Sequence, residues 1–237
     1  MAAGDRLQLL RHRQIELTTI RQKHPARSSI CGALLSEVRS ASATTNEQNM
    51  AAFLLGQFSC RRGLKVLEQL TWSVHDRLQP NGGEEDSFIT GEDRDLFGAL
   101  LYAIARIDTP ASHASLTKLY SSMKNIELKS DVLEAMAFET EMFDMDFILD
   151  VLAKEAKEPI LLSALYAVMF HASRVDATAL RKALGPFLTH ESGNVRMYAV
   201  RAFGWSEDKR TRALILQLKS DANADVREAV ADALRRE

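Results

Sequence analysis

The chain has 237 residues, of which 46% are hydrophobic and 26% charged, with a net charge of −2. These are ordinary values for a soluble folded protein, and the chain is ample in length for one continuous solenoid. Its 11 Gly and 5 Pro are too few for the many turns of an all-β fold, and two cysteines cannot make the disulfide framework of a small secreted domain.

No run of about 18 apolar residues occurs, so no membrane span is expected. Charges at Asp5, Arg6, Arg11 and Arg13 interrupt any secretory apolar region. The expected location is therefore cytoplasmic, with Cys31 and Cys60 as free buried thiols in separate helical segments.

Helical periodicity predicts paired helices near 5–23 and 28–41, then 45–59 and 61–78. Four more pairs follow near 92–107 and 110–123, 128–140 and 143–155, 159–172 and 175–189, and 192–204 and 207–219. A last helix lies near 223–236. Thr109-Pro110 offers a cap followed by proline at the first helical position, and Glu158-Pro159 does similar work. Thr90, Ser206 and Asp221 are further expected caps. Pro186 should end or kink its helix, because proline removes an amide donor and clashes with the preceding turn. The stretch 80–91 (Pro80-Asn81-Gly82-Gly83 onward) reads as a surface loop insertion within a single solenoid spanning 1–237.

A repeat is clearest near the end. Val195, Arg196, Ala202 and Phe203 recur as Val226, Arg227, Ala233 and Leu234, at a spacing of 31 residues. Ile160, Ala164, Ala167 and Val168 follow the same pattern 35 residues before Val195, and Ala51, Leu54, Leu55 and Gly56 fit an earlier copy. Small residues at fixed helical spacing let neighbouring helices approach closely, with the Val and Phe/Leu positions on the same apolar stripe. This Asp/Asn-Val-Arg pattern, followed by spaced alanines and Leu/Phe-Gly, resembles the HEAT-like repeats of phycobilisome lyases. The resemblance implies an all-α, α-α superhelix of about six hairpins plus a terminal helix. In such stacks the second helix of each pair lines the concave face.

Charge is unevenly spread: residues 1–79 carry a net +5, residues 80–160 a net −10 and residues 161–237 a net +3. An acidic centre suits a basic partner and repels phosphate. Within the predicted second helices, Trp72 projects from the polar side of 61–78, beside Lys65, Gln69 and Asp76, as interface anchors do. Glu139, Glu141, Asp144, Asp146 and Asp150 gather five acids within 12 positions. Those five and Trp72 are the expected partner-binding residues.

No phosphate-loop, dinucleotide, zincin or nucleophile-elbow motif is present. His190-Glu191 invites comparison with deoxyhypusine hydroxylase, a HEAT-repeat enzyme that holds iron through several His-Glu pairs. One pair cannot complete such a site. HEAT-like DNA glycosylases need a basic groove, whereas here the middle is acidic. Bilin lyase activity would rest on architecture alone, which does not carry function. The expectation is a non-enzymatic protein-binding solenoid with no cofactor or metal; the alternative is a bilin lyase-like enzyme subunit or a HEAT-like DNA-binding or glycosylase protein. The solenoid would be an adaptor, an assembly chaperone or an immunity protein that neutralises a toxin, and would grip a basic protein on its acidic centre.

Overall fold

The computed structural model describes residues 27–79, 89–137, 143–206 and 208–235. Among them every regular element is helical and no strand occurs. The chain is an all-α protein of repeated helical hairpins, and its Cα packing falls into two compact units.

The first unit holds α1 (Arg27–Arg39), α2 (Thr45–Gln57), α3 (Leu64–Leu78) and α4 (Glu92–Ile107). The second holds α5 (Pro110–Ser122), α6 (Ile126–Met136), α7 (Met145–Lys154), α8 (Glu158–His171), α9 (Ala177–Leu184), α10 (Gly193–Phe203), α11 (Lys209–Leu216) and α12 (Ala224–Arg235). Within the second unit α6 packs on α8, α8 on α10 and α10 on α12, while α7 packs against α8. The first unit repeats the device with α2 on α4 and α3 alongside α4. The predicted helix near 5–23 and residues 80–88 of the predicted loop lie outside the described residues.

The helices start where short polar side chains can take orphan amides. Thr44 forms a capping box with Glu47, and Thr109 forms one with Ser112 just ahead of Pro110. Asn125, Asp144, Asp176 and Asp208 cap α6, α7, α9 and α11 through their side-chain oxygens. Three expected caps are corrected. Lys157, not Glu158, stands at the N-cap of α8 and makes no side-chain cap bond. Asp208, not Ser206, caps α11 because its carboxylate reaches the Thr211 amide at 2.8 Å. Asn223, not Asp221, receives the amides of Asp225 and Val226 at 2.8 and 3.3 Å. Pro186 acts as expected, since the α-helical hydrogen-bonding ends at Leu184 and a tighter 3-10 turn runs over Gly185–Thr189.

Most apolar repeat residues form the core, while Ala233 and Leu234 at the end of α12 are half-buried. Val195, Ala199, Val200, Ala202 and Phe203 are fully buried in α10, as are Val226, Ala229 and Val230 in α12. Each buried Val or Phe contributes roughly 1.5–3 kcal/mol relative to exposure. Small residues set the approach of neighbouring helices: a Cβ built on Gly204 would lie 2.9 Å from the Cβ of Ala233. The first unit uses the same device at Gly56, where an added Cβ would lie 2.8 Å from the Ala103 Cα.

The repeated arginine has a specific task. Arg196 donates from Nη1 to the carbonyls of His190 and Glu191, at 2.7 and 3.0 Å. Arg227 donates in the same way to the carbonyls of Asp221 and Ala222, at 2.7 and 3.1 Å. Each arginine thus reaches back five and six residues and clasps its own entry loop. Arg196 also makes a two-pronged pair with the Asp221 carboxylate, at 2.9 and 2.8 Å, which ties one repeat's loop to the next. That guanidinium, together with the Asn223 amide, holds the Asp221 carboxyl below the usual carboxylate range.

The two cysteines correct the expectation of free thiols. Cys31 in α1 and Cys60 after α2 form a disulfide with their Cα atoms 5.7 Å apart. Packing of α1 on α2 brings the two positions together, which sequence spacing does not reveal. The cysteines therefore no longer speak for a reducing compartment. No helix among the described residues is long and apolar enough to cross a membrane.

Candidate functional site

The acidic candidates on the second unit sit at the entry to α7. Asp144 accepts the Phe147 amide at 3.0 Å and so caps the helix. Asp146 is exposed in the first helical turn, where the positive end of the helix dipole stabilises an anion. Asp150 is exposed and pairs with Lys154 at 2.7 Å, one turn on. Ile148, Val151 and Leu152 turn the opposite face of α7 into the core. Glu139 and Glu141 lie outside the described residues.

Asp144 also closes a groove of about 600 Å³. Its other wall is one face of α5: Pro110, His113, Ala114, Thr117, Lys118 and Ser121, at helical spacing. His113 forms the base, buried, with its Nε2 at 3.2 Å from the Asp108 carboxylate. Beyond the groove α5 and α7 meet through Tyr120 and Phe147, edge to face at 5.4 Å. Burial pushes the Tyr120 phenol up, and its hydroxyl donates to Glu155 at 2.7 Å. Lys129 donates to the same Glu155 oxygen at 3.3 Å. Only the tertiary structure sets Asp144 beside this face of α5.

Trp72 belongs to the first unit. It is half-buried on α3 and packs edge-on against His75, with ring centroids 5.4 Å apart. The structure thus gives this ring a neighbour within its own helix and places it in a different unit from the acids.

A second surface in the second unit escaped the sequence reading. Phe170 and Trp205 are exposed by 42% and 49%. Phe170 lies in the last turn of α8 and Trp205 just past the end of α10. They are separated by 35 residues, the spacing from Ile160 to Val195, so they occupy equivalent repeat positions. The signal was therefore present in the repeat register, although exposure itself is not readable from one helix.

His190-Glu191 serves the fold: its two carbonyls are the ones clasped by Arg196, and His190 Nδ1 accepts the Ser192 amide at 3.1 Å. Among the described residues no group of three or more His, Cys, Asp or Glu side chains is placed to hold a metal ion.

No family model and no curated protein matches the chain. Solved structures that it resembles include an engineered protein at 17% identity, covering 86% of this chain and 94% of that one, with a TM-score of 0.48. They also include a designed armadillo repeat protein at 16% identity, covering 85% and 97%, with a TM-score of 0.47. Computationally designed armadillo repeat proteins for modular peptide recognition match with the same identity, coverage and TM-score. Likeness at this level carries no statement about activity.

Proposed function

We propose that the chain is a non-catalytic, HEAT-like protein-binding scaffold whose partner is a basic protein docking on the acidic middle of the sequence. The observation that supports this reading is the exposed acidic entry of α7. Asp146 and Asp150 stand clear of the core there, inside a segment of net charge −10. Asp144 closes the adjoining groove. Charges so placed attract a basic surface, raise its association rate and set partner choice more than they add affinity. Trp72 is proposed as an apolar anchor in the first unit. The reading covers an adaptor, an assembly chaperone and a stoichiometric neutraliser of a basic toxin.

The proposal includes a cytoplasmic location, and the Cys31–Cys60 disulfide bears on it. In a cytosolic protein that bond would be held reduced or would cycle. Trapping free thiols in freshly lysed native cells tests the point directly.

The binding test compares the wild-type protein with an Asp146→Lys, Asp150→Lys double variant as baits in native-host lysate. Captured proteins are quantified by mass spectrometry at low salt and at about 0.5 M salt, where the screening length is only a few ångströms. The expected result is a basic protein held by wild type at low salt and lost both in the variant and at high salt. The same proteins captured by both baits at equal yield would overturn the reading.

A further inference from the structure

In the second unit, rings on α8 and α10 join into one strip. Phe170 meets Tyr166 edge to face at 4.8 Å, and Tyr166 meets Tyr198 at 6.3 Å. The Arg201 guanidinium lies over the Tyr198 ring, 5.7 Å from its centroid. Trp205 follows one turn beyond Arg201, just past the end of α10.

The arginine marks what the strip can hold. Several other arginines of this unit are satisfied by acids or carbonyls: Arg181 by Asp208, Arg196 by Asp221, Arg227 by its loop carbonyls and Arg235 by Asp232. Arg201 is exposed and lies over a ring, and among the described residues no carboxylate pairs with it. A guanidinium held over an aromatic face by its charge still has N–H donors to offer a bidentate carboxylate.

We propose that this strip docks an extended acidic peptide segment, with two large apolar side chains against Phe170 and Trp205 and a carboxylate on Arg201. The spacing agrees. Packed helices lie about 8–10 Å apart and an extended chain rises about 3.3 Å per residue, so equivalent positions on α8 and α10 match ligand side chains about three residues apart. A basic segment would set its charge against Arg201. The strip therefore takes a ligand opposite in sign to the basic partner proposed for α7, and it stands or falls separately from that reading.

Trp205 supplies its own reporter. The chain has two tryptophans, so Trp72→Phe leaves Trp205 as the single one. The probe is a capped synthetic peptide with two phenylalanines about three residues apart and glutamates between them, titrated into the full-length Trp72→Phe protein. The expected result is a saturable shift of tryptophan emission to shorter wavelength as water leaves the ring. Arg201→Glu should weaken binding about tenfold or more, as loss of a charge-assisted pair does. The same peptide with lysines in place of glutamates should not bind.

Arg201→Gln stands in if the glutamate variant loses its helical circular dichroism. No emission shift, equal binding of the lysine peptide, or unchanged affinity in the arginine variants would each overturn the proposal. So would an emission shift that tracks protein concentration without peptide, because a second copy of the chain would then cover the strip.

Discussion

At the scale of single residues, the repeated Val-Arg pair divides its labour. Val195 is wholly buried, and Arg196, largely shielded from solvent, clasps the loop that precedes its helix. The Asp221 carboxylate depends on that clasp. Its folded pKa lies below the ordinary value, mainly through its bond with Arg196, so its contribution to stability is present above the unfolded pKa. That contribution is lost as pH falls through the folded value. Asp221→Asn should therefore lower the urea midpoint at neutral pH, and the gap to wild type should close as pH drops below about 4. Arg196→Met should cost about 2 kcal/mol by leaving Asp221 and two carbonyls without their donor. Ala202 is fully buried in α10, so Ala202→Leu should destabilise by roughly 1–3 kcal/mol through overpacking, measured by chemical denaturation. The burial of Ala202 was legible in the sequence because small residues recurred at a fixed interval. The partner of Arg196 was not legible, because the spacing of 25 residues to Asp221 follows from how two loops stack.

At the scale of elements, α7 shows how a candidate binding residue can hold a structural post as well. Asp144 takes the Phe147 amide, so Asp144→Ala should cost about 1 kcal/mol, as removal of an N-cap does. Asp144→Ser should keep the cap while removing the charge, leaving the denaturation midpoint near that of wild type. A binding defect in the serine variant would then report on charge alone. Helix positions were readable because Gly and Pro are sparse and caps are short polar residues, so most predicted boundaries fall within a few residues of those seen. The choice between helix faces was harder. Periodicity gives the angle of a side chain around its own helix, whereas exposure depends on what packs beside it. Trp72, expected on the polar side of its helix, is half-buried against His75, while Phe170 is exposed within an apolar helix.

At the scale of the whole molecule, the charge pattern and the covalent pattern both extend beyond one repeat. The acidic middle was visible from residue counts. The disulfide was not, since nothing local distinguishes a buried thiol from half of a bridge. Cys31 and Cys60 close a loop with a sequence separation of 29. Cross-links of that size stabilise by about 3 kcal/mol, mainly by restricting the unfolded chain. Reduction, or paired Cys31→Ser and Cys60→Ser substitution, should lower the unfolding midpoint by a corresponding amount in calorimetry with and without a phosphine reductant. Equal midpoints would mean that the reduced, unfolded segment already keeps much of its native arrangement.

The same bridge has a mechanical consequence. A chain pulled from its ends can lengthen only through segments that are free to straighten, and residues between Cys31 and Cys60 are shielded while the bond is intact. About 3.5 Å is gained per straightened residue, so roughly 100 Å of contour is withheld from a stretched molecule. Under tension the oxidised protein is a shorter tether than the reduced one, and the change of length is set by the redox state of one covalent bond.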